Sequence, residues 1–434
     1  MNWLEMHNVE FGECIVLGSA QGNILMVDCG SMNIKIRENG REVSDYVEHV
    51  LIPRYSLARS RAFLLTHFHR DHFCGLKRIL KNKPFYFDRI YLPATPVDPR
   101  GRALLIEFAL YVYAFLGAQS EFGRMSIGAL RIFEQISETA GTEAAYTLGR
   151  ESRFCFEEVE YEVLWPKLDE YPFSPLFTDM VEELDVCLSS PFIGESAVRF
   201  LQLKEQFCDE YIHCCDICRP QGRESLHTIQ NSINRLKGIL KQIDELSDSL
   251  RLLPAAQDII EILSRPAVRS EYSDAQNAAS IVFHNRRVQA ASYDDILMTG
   301  DATPETFDRI AGDLYDGYYI FKAPHHGTAG SWSHVFGNIA KAHVLISNGD
   351  YQAAGMVGEQ YSAGEGIKHC TNPSACRWFL ENGYCCNRTA YCWEFCEKGA
   401  LTLRCPKCTG ATRNADCGIY IVSDRRDYGC LCDL

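Results

Sequence analysis

The chain has 434 residues, 46% hydrophobic and 23% charged, with a formal net charge of −14 and a sequence pI near 5.4. These proportions exclude a disordered, collagen-like or coiled-coil chain and fit a globular protein with a sizeable core. The acidic balance argues against broad electrostatic capture of nucleic acid, while the 20 cysteines stand above ordinary usage yet below the density of a small disulfide scaffold.

Residues Met1 to His7 carry no basic region followed by an apolar stretch and do not read as a signal peptide. Cys14-Ile15-Val16-Leu17 and Ile24-Leu25-Met26-Val27 are short apolar runs separated by glycines, and Asp28-Cys29-Gly30 closes the second, which predicts a hairpin ending in a turn. Ala62 to Leu65 predicts a buried strand that runs into His67-x-His69-x-Asp71-His72, and 86–92 predicts another. The longest greasy run, Ala103 to Leu116, is interrupted by Glu107 and is too short to span a bilayer. The expectation is a cytoplasmic, reduced chain with no membrane partner, whose cysteines are thiols or metal ligands before they are disulfides.

From about 101 to 268 the pattern turns helical. Ile229, Ile233, Leu236, Leu240, Ile243 and Leu250 recur at helical steps and stop before Pro254. Strands return at Ser280 to Phe283, Ile296 to Met298, Tyr318 to Lys322, Val344 to Ile346 and Ala400 to Leu403. The expected organisation is a layered α/β body in two parts, 1–100 and 269–404, with a mainly helical insertion at 101–268 and a short Cys-rich extension at 405–434.

The chemistry concentrates in His67, His69, Asp71 and His72. On extended backbone, residues i and i+2 project to the same side, so His67 and His69 can bite one cation together, while Asp71 and His72 lie where the chain turns and can address a second. Imidazole mixed with carboxylate suits zinc, manganese or iron. Two later segments join them. Thr299-Gly300-Asp301 places a carboxylate after a strand, and Ala323-Pro324-His325-His326-Gly327-Thr328 follows the next strand in the same way.

In this order the motifs resemble the metallo-β-lactamase superfamily, and within it the hydrolase domain of ComEC-type competence proteins. The resemblance extends through the opening hairpin (Asn8 to Cys14 and Val27 to Gly30), Asn277 to Val282, Ser347-Asn348-Gly349, His369, Pro373, Thr389 and Gly399 to Leu403, and so covers most of residues 1 to about 404. It implies a four-layer αββα fold with two divalent metals, zinc or manganese. His67 and His69 would hold one metal, Asp71 and His72 the other, and Asp301 would bridge them. His326 would ligate the second ion and His325 would face the substrate. Asp71 and His325 are then the catalytic candidates, Asp71 by orienting a metal-activated water. The superfamily's usual third histidine for the first metal has no evident counterpart, because Asn277 to Ser280 stands in its place; His213, His227 and His284 are the histidines available as substitutes.

The remaining cysteines fall in groups. Cys208, Cys214, Cys215 and Cys218 lie in the insertion beside His213. Cys405-x-x-Cys408 has zinc-knuckle spacing, and Cys417 with Cys430 or Cys432 would complete four ligands, so the tail reads either as a structural zinc site or as free thiols. The leading expectation for function is a metal-dependent phosphodiesterase or nuclease, with Lys77, Arg78, Lys81, Lys83, Arg286 and Arg287 as candidates to line a groove. The alternatives are a hydrolase of a small ester, lactone or nucleotide signal, and an effector or interaction subunit that binds a protein partner through the insertion or tail, for instance in a defence complex.

Overall fold

The computed structural model describes residues 3–19, 21–36, 40–117, 121–157, 159–167, 172–189, 194–287, 295–349, 357–364, 366–371, 390–395, 401–402 and 420–423. Two mixed β-sheets and a set of helices make an α/β protein. The strands of the first sheet are β1 (Trp3–His7), β2 (Ile15–Gly18), β3 (Ile24–Val27), β4 (Arg61–Leu64), β5 (Arg89–Pro93) and β6 (Ala145–Leu148). Those of the second are β7 (Arg153–Phe156), β8 (Val159–Trp165), β9 (Val282–Asn285), β10 (Ile296–Met298), β11 (Gly317–Lys322), β12 (Ala340–Ile346) and β13 (Ile367–Cys370), after which β14 (Ala390–Phe395), β15 (Leu401–Thr402) and β16 (Tyr420–Ser423) return to the first. The first sheet runs β15-β14-β1-β2-β3-β4-β5-β6 with β16 also on β14, and the second runs β13-β12-β11-β10-β9-β8-β7.

The unbroken apolar runs are explained by burial on both faces of each sheet. Leu25 and Val27 of β3, Leu64 of β4, Phe283 of β9, and Ile296 and Met298 of β10 meet in one apolar cluster shared by both sheets. The alternate residues Ile24, Met26 and Phe63 pack against helices in a second cluster, whereas Val282, Leu297 and Phe321 do so in a third. With side chains alternating across a strand, a four-residue apolar stretch supplies two layers at once.

Residues 101–268 are not helical throughout. Strands β6, β7 and β8 interrupt them, β6 extending the first sheet and β7 and β8 the second. The helical excursions therefore lie on either side of this pair of sheet edges, and the second continues to Ala278. Helix Leu226–Arg251 is capped by the Ser225 hydroxyl, which accepts from the Thr228 N–H, and buries the predicted stripe from Ile229 to Leu250. Glu107, the charge inside the greasy run, is buried in helix Leu104–Tyr111 and is neutralised by Lys204 at 2.6 Å and Arg102 at 2.5 Å. The expected strand at Ser280 begins two residues later, because Asn277 and Ala278 close helix Pro266–Ala278. Among the described residues, no helix is long and apolar enough to cross a membrane.

Candidate metal centre

Strands β3, β4, β5 and β6 are mutually parallel, as are β10, β11, β12 and β13. The carboxyl ends of β3, β4, β10, β11 and β12 deliver Asp28, the run Thr66 to His72, Asp301, the pair His325-His326, and Ser347, respectively. Open α/β sheets place their ligands at such ends, where loops are free to carry polar groups. Gly30 lets the loops close up, since a Cβ there would stand 2.4 Å from the Arg70 carbonyl oxygen. Gly300, at φ +50°, turns the chain into Asp301 where a Cβ would press on the Thr66 side chain.

Asp71, His72, Asp301 and His326 converge so that one ligand atom from each lies within 4.8 Å of all the others; all four are buried. Among the described residues this is the only such grouping of His, Cys, Asp or Glu. His72 Nε2 is 3.1 Å from Asp301 Oδ2, and His326 Nε2 is 3.1 Å from Asp71 Oδ2 and 3.4 Å from Asp301 Oδ2. His67 and His69 stand beside the group, with ring centroids 4.6 Å apart and the His67 ring 4.2 Å from that of His72. His325 is 37% exposed, its Nε2 3.9 Å from Asp301 Oδ2. Both His325 and His326 adopt positive φ, at 45° and 57°, a strained conformation that the surrounding contacts must hold.

Hydrogen bonds fix which nitrogen of each ring faces the centre. His326 Nδ1 lies 2.9 Å from the Ser347 carbonyl oxygen, which can only accept, so Nδ1 carries the proton and Nε2 points into the cluster. His72 Nδ1 donates to Asp28 Oδ2 at 2.7 Å, with the same result. Thr66 Oγ1 gives its proton to Asp28 Oδ2 at 2.7 Å and therefore accepts from His67 Nδ1 at 3.1 Å. That leaves the His67 Nε2 lone pair buried without a hydrogen-bond partner. Asp28 thus sets the ring orientation of His72 directly and of His67 through Thr66, the role that a ligand histidine's outer partner plays in metal sites.

Electrostatics agree with a site shaped for positive charge. Burial would raise Asp71, but the His326 hydrogen bond and the charges of His72 and His326 outweigh it and hold the carboxyl at about 2. Burial would likewise raise Asp301, yet His72, His326 and His325 hold it well below the usual carboxylate range. Burial opposes charge on His326, and Asp301 and Asp71 overcome it, lifting the ring to about 9. His67 is held well below 6.5 by burial and by the adjoining His72 and His69 rings, and burial pulls His69 down to about 4. With an orphaned His67 lone pair, inward-facing Nε2 atoms and two ionised carboxylates, the residues present could hold a metal ion.

Other groups legible only in the structure support the centre. Lys322, buried at the end of β11, pairs with Glu13 at 2.6 Å, donates to the Gly300 carbonyl at 3.1 Å and lies 3.8 Å from Asp301 Oδ1. The signal for Asp28 was a short carboxylate closing a strand that pairs in parallel with the His67 strand, which brings both ends to one edge. The His69 Nε2 is 3.1 Å from the Ser273 hydroxyl. None of the three substitute histidines joins the cluster: His213 and His227 are exposed on helices, and His284 is buried with Nδ1 at 2.9 Å from the Tyr318 hydroxyl. Asn277 is buried, and its side-chain oxygen makes no hydrogen bond.

Cys208, Cys214, Cys215 and Cys218 are buried in the interior of helix Glu195–Ile217 and at its end, packed among apolar residues. Cys405, Cys408, Cys417, Cys430 and Cys432 lie outside the described residues, as do Pro373 and Thr389. No protein-family model matches the chain, and no curated protein matches it.

Proposed function

We propose that the chain is a metal-dependent hydrolase of phosphodiester or related ester bonds. The observation that carries this reading is the buried convergence of Asp71, His72, Asp301 and His326 beside His67 and His69. The two mixed sheets sharing one apolar cluster, with helices packed in the other two, support the four-layer αββα arrangement that the resemblance to the metallo-β-lactamase superfamily implies.

Asp71, His72, Asp301 and His326 would hold one divalent cation, and His67 and His69 would contribute to a second. Such cations supply Lewis acidity and lower the pKa of a coordinated water. Asp71 and Asp301 stay ionised throughout the neutral range, so they can hold a cation and orient a hydroxylic nucleophile. His325, partly exposed at the edge of the cluster and kept neutral by burial, can hydrogen-bond the substrate. Lys322 balances Glu13 and stands 3.8 Å from Asp301 Oδ1.

Within this reading the ComEC-type resemblance favours nucleic acid as substrate. A small ester, lactone or nucleotide is favoured by the pairing of three of the six candidate groove cations: Arg78 is bound to Glu48, Arg286 to Glu160 at 2.5 Å and Arg287 to Asp295 at 2.5 Å. The net charge of −14 points the same way. Zinc- or manganese-loaded protein is expected to cleave bis(4-nitrophenyl) phosphate, and Asp71→Ala with Asp301→Ala to abolish cleavage. Cleavage that survives both changes refutes the assignment. Parallel assays on plasmid DNA decide between the two substrate classes.

A further inference from the structure

Helix Pro266–Ala278 meets the metal centre through two neighbouring residues. The Ser273 hydroxyl is 3.1 Å from His69 Nε2, and Asp274 lies within electrostatic reach of His325. Successive helical residues turn by about 100°, so Asn277 falls about 40° from Ser273 and about 60° from Asp274, in the sector between them and one turn further on. Its Cβ leans back over the turn that carries Ser273. Hydrogen bonds tie this end of the helix to the centre. The Asn277 backbone carbonyl accepts from the Ser280 N–H at 3.0 Å, and Ser280 Oγ accepts from the Asp301 N–H at 3.3 Å. The next N–H, of Ile281, donates to the Thr66 carbonyl at 3.0 Å, beside His67.

Asn277 is 3% exposed, and its side-chain oxygen makes no hydrogen bond. Buried amide oxygens are ordinarily satisfied. His67 Nε2 is buried and unpaired too, and it is also an acceptor, because the ring proton sits on Nδ1. Two acceptors cannot satisfy each other, whereas a cation satisfies both.

We infer that Asn277 supplies a neutral side-chain oxygen as the third protein ligand of a cation held by His67 and His69. The inference rests on the reading that these two histidines take a metal. All three of those ligands are uncharged, while Asp71 and Asp301 bring two negative charges to the neighbouring position. An amide oxygen is also a harder ligand than imidazole, better suited to manganese than to zinc. The His67–His69 position is therefore the weaker of the two, filled second, and it discriminates less sharply between zinc and manganese.

Stepwise titration of metal-stripped, full-length protein tests this, with zinc followed by calorimetry and cobalt by visible absorption. Asn277→Leu keeps a branched side chain without the oxygen. It should weaken the second zinc equivalent about 100-fold, the upper end of what losing an outer partner of a ligand costs, and leave the first unchanged. Asn277→His should tighten the second equivalent about tenfold and shift the cobalt bands of that step alone, as imidazole replaces oxygen. A gain of affinity cannot come from a variant that fails to fold.

An Asn277→Leu protein with the parent's circular dichroism that binds both equivalents unchanged overturns the assignment. So does an Asn277→His protein whose second step and cobalt spectrum match the parent's, or one that, like the parent, takes up a single equivalent. Neither readout needs turnover. Protein that meets both expectations yet cleaves no ester refutes the hydrolase reading and leaves the ligand assignment standing. An unchanged titration in Asn277→Leu joined to a raised KM for bis(4-nitrophenyl) phosphate overturns the ligand assignment and makes Asn277 a substrate contact.

Discussion

His72 Nδ1 lies 2.7 Å from Asp28 Oδ2, a bond between two fully buried side chains 44 positions apart. The same carboxylate accepts from the Thr66 hydroxyl at 2.7 Å and, through its other oxygen, from the Thr66 N–H at 2.8 Å. One aspartate outside the cluster therefore fixes the tautomer of two adjacent histidines, His72 directly and His67 through Thr66. Asp28→Ala is expected to weaken zinc binding about 10–100-fold, the range seen when an outer partner of a ligand histidine is lost. Chelator competition measures it. Unchanged affinity in a folded variant would show that the neighbouring loops alone orient His67 and His72.

The pair Glu13–Lys322 is buried on both sides, at 2% and 1% exposure, with 2.6 Å between charges. Removing one partner strands the other: Lys322→Met leaves Glu13, already pushed up by burial against the pull of Lys322, with no cation of its own. A loss of about 3–5 kcal/mol is expected, most of it recovered in the double variant Glu13→Gln with Lys322→Met. Urea denaturation of the single and double variants decides this. Equal stability of the two would mean that the pair contributes nothing as a pair.

His69 Nε2 lies 3.1 Å from the Ser273 hydroxyl, so a cation bound at that nitrogen would displace a hydrogen bond to helix Pro266–Ala278. Ser273→Ala removes that competitor. It should raise affinity for the second metal equivalent about fivefold, the worth of roughly one ordinary hydrogen bond, and leave the first equivalent unaffected. Stepwise zinc titration followed by calorimetry reads both. A fall in affinity at the second step would assign Ser273 a supporting role for His69.

Much of this was legible in the sequence because it depends on local pattern. Ile24 to Val27 and Ile296 to Met298 are strands at the predicted bounds, since a short apolar run between turn residues can be satisfied in few other ways. Asp71, His72, Asp301 and His326 were visible as strand-end polar residues, and the structure brings all four together. What escaped depends on partners distant in the chain. β6, β7 and β8 lie in a stretch whose surroundings read as helical, and pairing with β5 and β9 decides them. Asp28 looked like a turn residue, and only its parallel neighbour β4 gives it Thr66 and His72. Lys322 closes the expected strand Tyr318 to Lys322, and its buried partner Glu13 lies more than 300 positions earlier.

Acid should destabilise the protein through histidines remote from the metal centre. Burial pushes His343 down to about 3, and burial followed by the Arg287 charge takes His284 down to about 4 against the opposing pull of Asp295. In the unfolded chain both rings protonate near 6.5. Above that value folded and unfolded chains bind the same number of protons at these sites, and their contribution to stability is complete and flat. Below it the unfolded chain takes up protons that the folded chain refuses, so stability falls as pH drops from about 6.5 towards 4 and, for His343, on to about 3. At about 1.4 kcal/mol per unit and per group, the two together cost on the order of several kcal/mol across this window. Replacing His343 by Leu at a position 1% exposed should remove one of the two protons from the slope. From pH 7.5 through 5.5 to 4.5 the urea midpoint of the parent is expected to fall more steeply than that of His343→Leu. Parallel curves would mean that His343 is protonated in the folded state, which the burial of its ring opposes.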